Sequence, residues 1–149
     1  MAEVRTADVT WNGDLLTGAG TIDYVSSGVF SRMPVSWAAR TGPHNGKTSP
    51  EELLAAAHAA CFSMAFSARL AKNGTPATTL KVSAAVSFDN ASGGWKVTTS
   101  TITVVGDVPG IDLETFRVIA ADAKENCPIS GALKGNVELV VDASLVAAA

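Results

Sequence analysis

Along the first third of the chain, VRTADVTW (4–11) and AGTIDYVSSGVF (19–30) alternate apolar and polar residues on either side of the turn-rich NGDLLTG. A period of two predicts a β-hairpin. MPVSWAAR (33–40) reads as a third strand, with Arg40 its last residue before TGPHNGKTSP, a loop whose glycines and prolines fit no regular element. The period then changes. From Ser49 to Ala71 the sequence SPEELLAAAHAACFSMAFSARLA carries a complete helix start: Ser49 as N-cap, Pro50 in the first turn, and Glu52 three residues past the cap in an S-x-x-E capping box. Asn73, Gly74 and Pro76 stop the helix. About 22 residues rising 1.5 Å each make a rod of roughly 33 Å. Between Glu52 and Arg69 only His58, Ser63 and Ser67 are polar, and they form no continuous face, so the helix must be covered nearly all round.

TTLKVSAAVSFD (78–89) and GWKVTTSTITVVGDV (94–108) are strands joined by NASGG. Asp112 caps a second helix whose apolar positions Leu113, Phe116, Ala120, Ala123 and Cys127 recur at three- and four-residue steps. Pro128 follows at once, and GNVELVVDASLV (135–146) is a last strand. The order βββ-α-ββ-α-β segregates hairpins from helices and predicts an α+β fold with antiparallel sheet packed on helices. The length of 149 residues fits one domain, 1–149, with no linker or repeat.

Composition narrows the function classes. Net charge is -3 with no run of Lys or Arg, which removes the electrostatic footprint of a nucleic-acid binder. Residues 1–14 contain no apolar signal core, and His58, the serines and Arg69 argue against residues 49–71 as a membrane span. The expected address is the cytoplasm. Hydrophobic residues make up 47% of the chain and mean hydropathy is +0.24, high for a soluble monomer and indicative of a dimer.

Candidate chemistry centres on Cys61 and Cys127, 66 positions apart in a chain expected to meet a reducing compartment. A cysteine reacts as its thiolate, and apolar burial raises the thiol pKa. Cys61 sits about three turns into its helix, beyond reach of the N-terminal dipole, so its activation needs a cation. Arg40 is the candidate, with the spare first-turn carboxylate of Glu51 to hold its guanidinium bidentately. Packing cysteines, a solvated Arg40 and a dipole-favoured Glu51 are the competing readings. His58 lies three residues before Cys61 on one helical face. It reads as a thiolate partner, a core histidine, or a metal ligand together with Cys61, His44 and Cys127, although that spacing matches no usual zinc knuckle.

PEELLAAAHAACFSMA, with Arg40 upstream and ENCPIS downstream, resembles the OsmC/Ohr family of organic hydroperoxide reductases over essentially the whole chain. W-x-G-D followed by G-x-G, AAHAACF and VPGID resemble its OsmC branch, the osmotically inducible proteins. The resemblance implies antiparallel sheets wrapped around long central helices in an intertwined homodimer. It also implies a thiol peroxidase of stress defence, acting on organic hydroperoxides and more weakly on hydrogen peroxide. By position, Cys61 resembles the peroxidatic cysteine, Cys127 the resolving one, and Arg40 with Glu51 the pair that steadies the thiolate. An external dithiol (a lipoylated protein, thioredoxin or a small thiol) would restore the enzyme, with no haem, flavin or metal. A redox-sensing or ligand-binding stress protein of the same fold is the alternative.

Overall fold

Two glycines show how the W-x-G-D and G-x-G motifs build the first sheet. Trp11 pairs with Gly20 across the hairpin, and a Cβ on Gly20 would lie 2.6 Å from the Trp11 ring. A Cβ on Gly18 would lie 2.2 Å from the Asp14 carbonyl oxygen. Asp14 closes the loop between them by accepting from the backbone N–H groups of Leu16 and Thr17, the turn chemistry of short polar side chains. The motif residues therefore have structural work in the loop and its register.

The computed structural model describes residues 1–147. The chain divides into two units, Met1–Leu53 and the residues from Leu54 onward. In the first, strands β1 (Ala7–Asn12), β2 (Ala19–Val25) and β3 (Ser31–Val35) form an antiparallel meander. The expected third strand stops at Val35, and Trp37–Thr41 is a short helix, α1. Ser36 causes the change: its hydroxyl accepts from the Ala39 N–H at 3.2 Å, an N-cap that starts a helix where alternation suggested continued strand. Arg40 therefore sits in the last turn of a helix and does not end a strand.

Helix α2 (Pro50–Lys72) matches its expected span. Ser49 Oγ accepts from the Glu52 N–H at 3.1 Å. At the other end the Thr75 N–H returns to the Leu70 carbonyl at 3.0 Å across Gly74, whose φ is 82°, a Schellman termination. By length and mean hydropathy, 1.4, α2 would be able to cross a membrane. A core helix passes the same test, and one face of α2 lies in the core of the second unit: His58, Phe62, Phe66 and Leu70, each four residues on, are fully buried.

That core is completed by Ile102 and Val104 from β5 (Gly94–Asp107) and by Phe116, Ala120 and Ala123 from α3 (Leu113–Asn126). The Phe66 ring packs at a tilt against Phe116, with ring centroids 4.9 Å apart, and against Phe62 at 5.4 Å. Truncating one such ring to alanine costs about 3–5 kcal/mol. Asp112 caps α3 as expected, accepting from the Thr115 N–H at 2.9 Å, whereas Leu113 lies exposed outside the buried stripe.

Two further features depart from the sequence reading. A six-residue helix, α4 (Pro128–Leu133), follows α3 directly. The second sheet, in the order β4 (Thr79–Ala91), β5, β6 (Glu138–Leu145), is mixed: β4 and β5 are antiparallel but β6 runs parallel to β5. A parallel return needs a long crossover, which α3 and α4 supply. Among the described residues the architecture is α+β, with two three-stranded sheets.

Candidate active site

The i, i+4 packing of α2 places Cys61 beside its buried face, partly exposed, while Cys127 is 1% exposed at the junction of α3 and α4. Cys127 serves both helices, as C-cap of α3, donating its N–H to the Ala123 carbonyl at 2.8 Å, and as N-cap of α4, with Pro128 following at the first position. The two cysteines are free thiols. Separated by 66 positions, they are brought close enough that each shifts the other's ionisation.

The shifts run in opposite directions. Burial pushes the Cys61 thiol up, and the neighbouring Cys127 adds to that against an opposing pull from the Ile129 N–H. Burial also opposes ionisation of Cys127, but the Ser130 N–H, the Cys61 thiol, the Ser130 hydroxyl and the Ile129 N–H outweigh it and hold Cys127 below the usual thiol range. The N–H groups opening α4 favour the charged form of this sulfur. The two thiols therefore titrate as an interacting pair.

Arg40 and Glu51 also meet, within the first unit. Arg40 Nη2 lies 2.6 Å from Glu51 Oε1, and its Nε lies 3.1 Å from both carboxylate oxygens, a multidentate grip that fixes the guanidinium plane. Glu51 is buried while the Arg40 side chain keeps 29% exposure, and the guanidinium carbon stands 6.0 Å from the Trp37 ring centroid. An arginine held this way retains its charge, as a lysine need not.

His58 is fully buried, with Nδ1 2.7 Å from Ser100 Oγ and Nε2 2.8 Å from Ser130 Oγ. Both nitrogens are thus committed to hydroxyls, which resolves its alternatives in favour of a satisfied core histidine and leaves neither nitrogen for a cation. Sequence reasoning missed Ser100 and Ser130. The signal for Ser130 was present in CPIS, where a cap residue, a proline and a serine at the third helical position mark a helix start. Nothing in the sequence near Ser100 distinguishes it from the other hydroxyls of β5.

A dithiol with one accessible and one buried sulfur, mounted on an α+β scaffold, defines a class of thiol-based redox protein. The chain belongs to the OsmC family: residues 42–142 match the model of the OsmC-like protein. It is 41% identical over 129 residues to peroxiredoxin OsmC of Escherichia coli, covering 87% of this chain and 89% of that one. Against organic hydroperoxide resistance protein OhrB of Bacillus subtilis the identity is 33% over 97 residues, covering 64% and 68%. The fold is also that of an organic hydroperoxide resistance protein from Elizabethkingia anophelis, with TM-score 0.73, 24% identity and coverage of 97% and 99%.

The burial of His58 gives a pH dependence of stability. Desolvation lowers its pKa below 6.5, so below pH 6.5 the unfolded chain binds a proton that the folded chain refuses. The contribution is full above the unfolded pKa and falls as the pH drops, by up to about 1.4 kcal/mol per pH unit until the folded pKa is reached. Denaturant unfolding between about pH 6.5 and 5.5 should show this slope in the wild-type chain and lose it in His58→Gln. Equal slopes would contradict the assignment.

Proposed function

We propose that the chain is a thiol-dependent peroxidase that reduces organic hydroperoxides, and hydrogen peroxide more weakly, through Cys61 and Cys127. The observation that carries this reading is the pair of neighbouring free thiols of unequal exposure. A peroxide can reach Cys61 before it can reach Cys127. The names of the relatives, peroxiredoxin and organic hydroperoxide resistance protein, support the same chemistry.

In this mechanism the Cys61 thiolate attacks the terminal peroxide oxygen. An S–O bond forms as the O–O bond breaks, and the departing alkoxide takes a proton to leave as alcohol. Cys61 is then a sulfenic acid. The Cys127 thiolate attacks the Cys61 sulfur, hydroxide departs and is protonated to water, and a disulfide remains. The depressed Cys127 pKa favours this second step and protects Cys61 from further oxidation. An external dithiol, a lipoylated protein, thioredoxin or a small thiol, attacks the disulfide and returns both cysteines to thiols. The two electrons pass through sulfur throughout.

Because burial raises the Cys61 thiol, the first step needs a positive charge. We assign that role to Arg40, with Glu51 steadying the guanidinium. Support comes from their multidentate pair and from the motif resemblance. The family match runs across the boundary at Leu53, which supports reading residues 1–149 as one OsmC-like domain. We place the protein in the cytoplasm, as a component of oxidative and osmotic stress defence.

A homodimer is part of this reading. The α2 face opposite Phe62 carries Ala56, Ala60, Met64, Ala68 and Ala71, all exposed, with Met64 at 68%. Met64, Ala68 and Ala71 of this face, with Ala77 and Leu80, line an open groove of about 530 Å³. Small side chains allow close helix approach, and a second copy offers a self-complementary cover. Sedimentation at micromolar concentration should give twice the 15.2 kDa chain mass, and a single-chain mass would contradict the dimer.

The catalytic reading is tested with one assay, consumption of cumene hydroperoxide in the presence of a dithiol. Cys61→Ser should abolish turnover, and Cys127→Ser should allow one oxidation followed by trapping or over-oxidation of Cys61. Arg40→Ala should slow the first step by about tenfold or more, the kinetic equivalent of losing one charge-assisted contact. Full activity in Cys61→Ser, or a single stoichiometric oxidation without turnover in the wild type, would overturn the peroxidase reading.

A further inference from the structure

His58 has no task in the peroxidase chemistry described above. It stands between two serines from separate elements: Nδ1 is 2.7 Å from Ser100 Oγ on β5, and Nε2 is 2.8 Å from Ser130 Oγ on α4. All three residues are at most 2% exposed. In either neutral tautomer one ring nitrogen donates and the other accepts, so both bonds form whichever nitrogen holds the proton.

The two ends of this bridge differ in how firmly they are held. Ser100 lies on the central strand of its sheet, paired with Val86 on one side and Leu139 on the other. Helix α4 has six residues, of which Ser130 is the buried one; Pro128, Gly131 and Ala132 are exposed, and Ile129 and Leu133 are half-buried. So short a helix buries little apolar area of its own, and a buried hydrogen bond carries a correspondingly large share of what fixes it. Its position matters as much. On α2, His58 precedes Cys61 by three residues, and Ser130 on α4 follows Cys127 by three. The bond from His58 to Ser130 therefore joins the two thiol-bearing elements one helical turn from each cysteine, and Cys61 packs against the cluster that contains Cys127.

We propose that the bridge of Ser100, His58 and Ser130 ties α4 to α2 so that Cys61 and Cys127 are in place before their bond forms, which makes His58 and Ser130 positioning residues for the disulfide step. A disulfide tolerates only a narrow range of Cα and Cβ separations. Where the tie has already ordered α4, closing the bond orders little more. Without the tie, α4 is looser in the reduced protein and the disulfide must bear the cost of ordering it. Tie and disulfide thus support each other.

The inference rests on the dithiol reading of Cys61 and Cys127, and its test uses no peroxide. Reduced protein is equilibrated with glutathione buffers, in which Cys61 and Cys127 give up two hydrogens to oxidised glutathione and convert it to two thiols. The linked fraction is then counted by mass spectrometry after acid quenching. A substitution that weakens both redox states equally leaves this equilibrium unchanged, so it reads positioning apart from stability. Ser130→Ala should make the disulfide about tenfold less favourable, a potential about 30 mV more oxidising. Ser100→Ala, which frees the ring but keeps the bond to α4, should shift it the same way by less. An unchanged or lowered potential in Ser130→Ala would overturn the proposal and leave the dithiol reading standing, whereas a parent chain that forms no bond between Cys61 and Cys127 would overturn both. Hydrogen exchange of the reduced, unmodified protein needs no variant. The Gly131 and Lys134 N–H groups, which donate to the Cys127 and Ser130 carbonyls at 2.9 Å, should be protected, and free exchange there beside a protected α2 would overturn the tie.

Discussion

Burial of a single α2 face, His58, Phe62, Phe66 and Leu70 against β5 and α3, is the constraint on which the second unit depends. Three of these side chains contribute by area and dispersion, about 1.5–3 kcal/mol each. The fourth is polar, and its desolvation is offset only because two serine hydroxyls meet it. Cys61 is fixed at the margin of this face by helical geometry. Phe116, Ala120 and Ala123 on α3 belong to the same cluster, so the packing that holds α2 also fixes the far end of α3, where Cys127 turns the chain into α4. The closeness of two thiols 66 positions apart is thus a consequence of core packing.

The same arrangement gives the two sulfurs different surroundings. Cys127, sealed in the core, would be expected to have a raised pKa from burial alone. Its place at the start of α4 reverses that, because the polar groups of Ser130 and Ile129 favour the charged form. Cys61 is more accessible but carries the raised pKa, which is why the peroxidase reading requires a cation held by a carboxylate. The Arg40–Glu51 pair has the properties such a cation needs: a fixed plane, a permanent charge and a partly dry setting.

Much of this was legible in the residues. Ser49, Pro50 and Gly74 bounded α2, and Asp112 capped α3, because caps are local chemistry and use few residue types. Thiol chemistry singled out Cys61, Cys127, Arg40 and Glu51 as candidates, while the pairing of the two cysteines came only from the motif resemblance; Arg40 is ion-paired with Glu51. What escaped depended on longer-range relations. The parallel β6 reads like an antiparallel strand, because alternation records which face is buried and not direction. Ser36 turned an expected strand into α1, and the shortness of α1 and α4 left no periodicity to detect. The role of Ser100 was invisible because a serine on a buried strand face acquires meaning only from what the fold sets opposite it.

The central claim is that Cys61 and Cys127 act as one redox unit within a single chain. The most direct test is mass spectrometry of the reduced protein after one equivalent of cumene hydroperoxide. The account predicts a loss of two hydrogens and a Cys61–Cys127 peptide pair linked within one chain. A product with Cys61 oxidised to sulfinic acid and Cys127 still a thiol, or with the disulfide formed only between chains, would contradict it.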